Sequence, residues 1–300
     1  AKGEYRTAGT DIATMVGLDV RDNEYKNYST YVITSKISSS GFAPVNTAGT
    51  IKSNDVTDEN VYAAYGELKY ALSPELTVTA NARQDILKYD FADSVENVNV
   101  TKQFNVPSFR LGATYQLNGS NALYTNVSSG FRTPTIQQMF SGDLNIYGGA
   151  TDNNPDLKPE QAYNYEIGIR GKRDWFDFDA TAFIIDRKDY ILSTIGQYTS
   201  GASGTPPASK YDNIGGVRNI GLEIALNTDT KEDVFFNLAY TYIRAKFTQY
   251  DNYYLYLESP TSTLTHYNLT GNSVPRVSKH QLNLTANYRA NKNLMLTGEM

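Results

Sequence analysis

"FRLGATYQLN", residues 109–118, decides the fold. Phe109, Leu111, Ala113, Tyr115 and Leu117 occupy every second position; Arg110, Gly112, Thr114, Gln116 and Asn118 fill the others. Successive side chains of a strand point to opposite faces, so the segment predicts a strand with one apolar and one polar face. The pattern returns along the chain. In residues 281–289 Leu282, Leu284, Ala286 and Tyr288 oppose Gln281, Asn283, Thr285, Asn287 and Arg289. In residues 219–227 Ile220, Leu222, Ile224 and Leu226 oppose Asn219, Gly221, Glu223 and Asn227. In residues 163–170 Tyr163, Tyr165, Ile167 and Ile169 oppose Asn164, Glu166, Gly168 and Arg170.

Read in this way, about eleven strands are predicted: 12–23, 61–72, 76–91, 105–118, 122–132, 161–172, 177–194, 216–230, 234–249, 276–290 and 294–300. Their connections fall into two kinds. Tight, polar, turn-forming links occur at 73–76, 118–121, 172–175, 230–233 and 290–293. Long polar stretches occur at about 24–60, 92–104, 133–160, 195–214 and 250–275. Short turns at one end and long loops at the other describe an all-β, antiparallel, up-and-down transmembrane β-barrel wall. Its apolar face would meet lipid and its polar face a wet lumen. About ten residues per strand, tilted, cover the apolar band of roughly 25 Å that such barrels present.

Composition agrees with that reading and excludes others. Of 300 residues 40% are hydrophobic, and the aromatic share is dominated by 24 Tyr against 12 Phe and 1 Trp. Tyrosine is apolar along its ring and polar at its tip, which suits strands and membrane–water boundaries. A formal charge of −5 argues against nucleic acid as a partner. Cysteine is absent, so disulfides and thiolate metal sites are excluded. There is no run of eighteen apolar residues to make a membrane-spanning helix, a test that barrel strands escape.

Several segments are similar to motifs of one family. "NVSSGFRTPTIQQMF" (126–140), "NPDLKPEQAYNYEIGIRG" (154–171), "FDATAFIIDRKDYI" (178–191), "GGVRNIGLEIAL" (215–226) and "VPRVSKHQLNLTANYR" (274–289) resemble, in order, segments of TonB-dependent outer-membrane receptors of the siderophore type. "VYAAYGELKYALSPELTVTANARQD" (61–85) is a looser match. The resemblance implies a barrel of 22 strands around a plug. About eleven strands then make the chain, 1–300, a partial barrel domain, with the plug, the early strands and the closing strands lying outside it. It also implies a location in the outer membrane of a Gram-negative bacterium, contact with outer-membrane lipid, and coupling to the TonB complex through the plug. The expected function is ligand-gated import of ferric siderophores. Alternatives are a receptor for haem, cobalamin or another nutrient, a passive porin, or a soluble lectin-like sandwich.

The candidate ligand-binding residues lie near or on the long loops. Arg132, at the end of its strand, could meet an anionic ferric complex, or pair with a carboxylate in the wall. Gln137, Gln138 and Tyr147 belong to the 133–160 loop. Tyr253, Tyr254 and Tyr256 lie in a tyrosine-rich stretch that could face flat aromatic ligands or pair across a tall hairpin. Thr133-Pro134 should end the strand, because proline offers no ladder N–H. Trp175, in a short turn, reads as an interface anchor. His266 and His280 stand far apart with no ligand cluster around them, so no protein metal site is expected, and iron would arrive held by the siderophore. No nucleophile–base pair suggests catalysis, and no resident cofactor is expected.

Overall fold

Alternation extends into a ladder of antiparallel hairpins. The structure, a computed structural model, describes residues 2–30, 35–38, 41–44, 49, 51–95, 97–140, 154–193, 195–198, 211–228, 232–251, 253–257 and 263–300. Its strands are β1 (Lys2–Ala8), β2 (Ile12–Thr30), β3 (Ser35–Ser38), β4 (Gly41–Pro44), β5 (Ile51–Ala71), β6 (Leu76–Asp93), β7 (Val98–Asn118), β8 (Asn121–Arg132), β9 (Glu160–Lys172), β10 (Phe176–Ser193), β11 (Ile195–Tyr198), β12 (Tyr211–Thr228), β13 (Val234–Gln249), β14 (Tyr253–Leu257), β15 (Thr263–Tyr267), β16 (His280–Asn291) and β17 (Leu294–Glu299). One helical turn, α1 (Ile136–Phe140), interrupts them.

Twelve strands form one open sheet in the order β1-β2-β5-β6-β7-β8-β9-β10-β12-β13-β16-β17. Each pairs antiparallel with its neighbours, so the sheet is a meander. The short hairpin β3–β4 and the three-stranded sheet β11-β14-β15 rise from the long connections. Side-chain acceptors close the tight turns. Ser73 Oγ accepts from the N–H groups of Glu75 and Leu76 (3.3 and 3.1 Å), and Asn118 Oδ1 accepts from those of Ser120 and Asn121 (both 3.0 Å).

The twelve-stranded sheet departs from the expected strands at three places. The sheet has twelve strands rather than eleven, because β1 pairs with β2 from Lys2↔Asp19 to Ala8↔Ala13. Its sequence, KGEYRTA, has no apolar face to betray it. The predicted loop at 92–104 is a hairpin tip, since β6 runs to Asp93 and β7 starts at Val98. The loop at 24–60 is shortened from both sides by β2 and β5, which stay in register from Ile12↔Tyr70 to Ser29↔Ser53. At 21 residues, β5 and β7 each extend about 70 Å, far more than an apolar band of about 25 Å requires. Beyond that band β2 is polar on both faces, whereas β6 and β7 carry their apolar residues (Leu87, Tyr89, Phe91, Phe104 and Val106) on the inner face, so the outward alternation that marks the band no longer marks the strand.

Register gathers the polar residues on one face. Arg83 binds Asp85 through Nε (3.0 and 2.9 Å) and Nη2 (2.7 Å), and reaches Asp19 at 3.3 Å. Its guanidinium lies 5.5 Å from the centre of the Tyr65 ring, whose hydroxyl donates to Glu4 (2.7 Å). Further along the same face Arg110 donates to Asn126 (2.8 Å) and Tyr124 to Asp179 (2.5 Å), with Arg170 over the Tyr124 ring. Tyr65 and Tyr124 lie flat over Gly17 and Gly168 on adjoining strands, where any Cβ would strike the ring. The opposite face exposes Leu111, Ile167, Leu222 and Leu282. A cavity of about 660 Å³ is lined mostly by that apolar face, including Val16, Ala64, Ala82, Pro107, Phe109 and Phe131.

Candidate ligand-recognition mouth

The long connections leave one end of the sheet, and there the chain folds back over the polar face. β8 stops at Arg132, as expected before a proline that offers no ladder N–H, and Pro134 itself is fully buried. Next comes "TIQQ" (135–138), a capping box. Thr135 Oγ1 accepts from the Gln138 N–H (3.2 Å), and Gln138 Oε1 accepts from the Thr135 N–H (3.1 Å). This pair starts α1. The turn then places Met139, fully buried, against Val61, Leu87, Tyr89, Phe104, Val106, Leu157 and Ile191. Phe140 stacks on Phe91 with centroids 5.0 Å apart.

Residues 154–160 complete this arch. The Asn154 N–H donates to the Met139 carbonyl (2.8 Å), and its side-chain amide donates to the Tyr211 carbonyl (2.8 Å). Asn213 bonds both backbone groups of Lys158, accepting from its N–H (2.8 Å) and donating to its carbonyl (2.9 Å). Asn213 also donates to the carbonyl of Asp189 (2.8 Å), a residue in the left-handed region (φ 54°) at the bulge of β10. Glu160 is the centre of the arch's polar anchor. Its buried carboxylate takes a bidentate contact from Arg132, Nε to Oε2 at 2.9 Å and Nη2 to Oε1 at 2.5 Å. Oε1 also accepts from the Ile191 N–H (2.8 Å).

The candidate residues therefore have different situations. Arg132 pairs with a wall carboxylate, although half of its side chain stays exposed. Gln138 spends its amide oxygen on the helix cap, whereas Gln137 is exposed beside it. Tyr147 lies outside the described residues. Tyr253, Tyr254 and Tyr256 sit on β14, paired with Tyr267, His266 and Leu264 of β15, the tall hairpin considered from sequence. β14 is joined in parallel by β11. The Tyr253 ring meets Tyr250 edge-on at 5.7 Å. Tyr250 itself is buried against Phe247, and burial together with Tyr253 pushes its phenol up to about 12. At the opposite end Trp175 is exposed in the β9–β10 turn, its ring 4.5 Å from that of Phe176.

Sequence reasoning missed Glu160 and the two asparagines Asn164 and Asn219. Among the described residues, the buried side-chain atoms without a hydrogen-bond partner are Asn164 Oδ1 and Asn219 Oδ1. Both lie opposite Ile185 of β10 on the polar face, each with its side-chain oxygen buried and unpaired. The available signal was that Glu160 follows Asn-Pro-Asp-Leu-Lys-Pro immediately before a strand, too short and polar to be scored by periodicity. Among the described residues no group of acidic or histidine side chains could hold a metal ion.

Comparison with known proteins agrees with this architecture. The family described as "TonB dependent receptor-like, beta-barrel" matches residues 2–298. The chain belongs to that family. It is 25% identical over 261 residues to the ferrienterobactin receptor of Escherichia coli K12, covering 84% of this chain and 31% of that protein. It is 25% identical over 217 residues to the TonB-dependent heme receptor A of Haemophilus ducreyi, covering 62% of this chain and 28% of that protein. The solved structure of the pyoverdine outer membrane receptor FpvA from Pseudomonas aeruginosa PAO1, bound to pyoverdine, superposes with a TM-score of 0.66 at 15% identity. That likeness covers 99% of this chain and 40% of that one. The chain thus spans less than half the length of each.

Proposed function

We propose that the full-length protein is an outer-membrane, ligand-gated importer of a ferric siderophore, energised through TonB. The carrying observation is the family match over residues 2–298, joined to a sheet whose long connections gather at one end. A ligand would first meet the β14–β15 hairpin with its tyrosines. It would then pass the arch of 133–140 and 154–160 and the polar face, where Arg83, Arg110 and Arg170 lie. The polar face would form the lumen and the apolar face would meet lipid. The iron is cargo, chelated by its carrier, and the protein need supply only charge and hydrogen bonds.

An arch packed across the polar face favours a gated receptor over an open porin. The test is uptake of iron-loaded siderophores by cells that express the protein, with and without TonB. Uptake that stops without TonB supports the proposal. Uptake that continues unchanged indicates passive diffusion. A second reading, haem in place of a siderophore, is favoured by the relative named for haem and is tested in the same cells with haem as the sole iron source.

A further inference from the structure

The apolar face ends differently on the two flanks of the sheet. On β10, β12 and β13 its outward positions run Phe178–Ile184, Leu226–Ile220 and Phe236–Tyr242. The next outward residues are Asp186 and Lys188 on β10, Arg218 on β12, and Arg244 and Lys246 on β13. Pairing makes them neighbours: Asp186 lies opposite Arg218, and Arg218 lies opposite Lys246. Arg218 holds Asp186 at 2.6 and 2.9 Å, and Lys188 lies over the Tyr163 ring at 5.4 Å. Among the described residues, Arg244 and Lys246 have no carboxylate at ion-pair distance. The other flank reverses the sign. Past the apolar runs of β2, β5 and β6 stand Asp22 and Glu24, Asn60 and Asp58, and Lys88 and Asp90, with Lys88 salt-bridged to Asp90 (2.6 Å).

Cations bordering an apolar wall match one kind of molecule, a lipid whose headgroup is anionic at the depth of the membrane boundary. We propose that Arg218, Arg244 and Lys246 bind a phosphate-bearing membrane lipid, with its acyl chains lying along Ile220, Leu222 and Tyr242. Neighbouring strands stand about 4.8 Å apart and same-face residues on one strand about 6.5 Å apart, so the three cations can converge on one phosphate. Guanidinium supplies paired N–H donors to phosphate, and lysine supplies a point charge. A soluble anion would gain the charge but not the wall beneath it. The proposal rests on the reading that the apolar face meets the membrane.

The test uses full-length protein in detergent and native mass spectrometry with bis-phosphorylated lipid A. The double variant Arg244→Gln/Lys246→Gln should lose lipid about thirtyfold, in line with the attraction of two juxtamembrane cations to anionic lipid. Asp186→Asn should retain more, and Lys88→Gln should match the parent protein. Dephosphorylated lipid should bind the parent as weakly as intact lipid binds the double variant, and excess inorganic phosphate should not compete. Equal retention by parent and double variant, or equal binding of the dephosphorylated lipid, would overturn the proposal. If the double variant does not insert, Lys246→Gln and Asp186→Asn decide it by moving in opposite directions. Failure of the underlying reading is distinct: the parent protein would be recovered in solution without detergent.

Discussion

Among the described residues two apolar clusters close the loop end of the sheet, held by different chemistry. The first, around Met139 and Leu157, pins the arch over β5–β7 and borders a buried carboxylate, Glu160, with its arginine and amide partners. The second joins Val217, Phe247 and Tyr250 to Tyr190, Leu192, Tyr253, Leu269 and Val274. Here the chain after β15 is tied back to the end of β13 by backbone bonds, Leu269 N–H to the Tyr250 carbonyl (2.6 Å) and Gly271 N–H to the Phe247 carbonyl (2.8 Å). Gly271 has a φ of 87°, so the turn uses a conformation that glycine adopts without strain. One cluster thus depends on a charge pair at its edge, while the other is aromatic and backbone-held. A charged ligand can compete for the first, whereas the second offers it aromatic surface, including Tyr253, and no ion pair to exchange.

The largest effect expected from this contrast is at Met139. Met139→Ala should destabilise the arch by about 2–5 kcal/mol, seen as faster hydrogen exchange in 136–140 and 154–160 with the second cluster unchanged. Exchange that accelerates equally in both would merge them into one unit. Arg132→Ala should cost about 1–3 kcal/mol locally, because the buried Glu160 carboxylate would keep only the Ile191 amide. Glu160→Gln should cost less than that, since its carbonyl can still accept the same N–H.

The second cluster should respond to alkali instead. The folded phenol of Tyr250 is raised to about 12 from an ordinary 10, so its neutral form is favoured by folding. That stabilisation is complete below pH 10 and is lost as pH rises through 12. Absorbance at 295 nm should show a late-titrating tyrosine that Tyr250→Phe removes; a titration unaltered by that substitution would contradict the assignment. The smallest effect belongs to the capping box, where Gln138→Ala should cost about 0.5–1 kcal/mol in α1 and leave ligand affinity within twofold. A larger loss of affinity would make Gln138 a ligand contact as well as a cap.

Legibility in the sequence followed the apolar face more than β structure. Strands such as Phe109–Leu117 and Leu282–Tyr288 were readable because one face is apolar and the other polar, which places both faces and the register. Above the band β2 runs through "DNEYKNYST", polar on both faces like a loop, although it stays paired as far as Thr30. The arch was half legible: the strand stop at Thr133-Pro134 and the return near Pro159 were visible. The five-residue helix and the distance-spanning Glu160–Ile191 bond were not. Arg132 was found through its charge, but whether it met a ligand or a neighbour depended on Glu160, 28 residues away. Loop tyrosines could be identified by type, whereas their cross-strand partners required the β14–β15 register.

The most direct test of the account is a binding titration of the full-length receptor in detergent, following tyrosine and tryptophan fluorescence with a panel of ferric siderophores, haem and cobalamin. Saturable quenching by one ferric siderophore, weakened by Tyr253→Ala with Tyr254→Ala and Tyr256→Ala, is the predicted result. No response to any of them, together with steady open conductance in a planar bilayer, would contradict it.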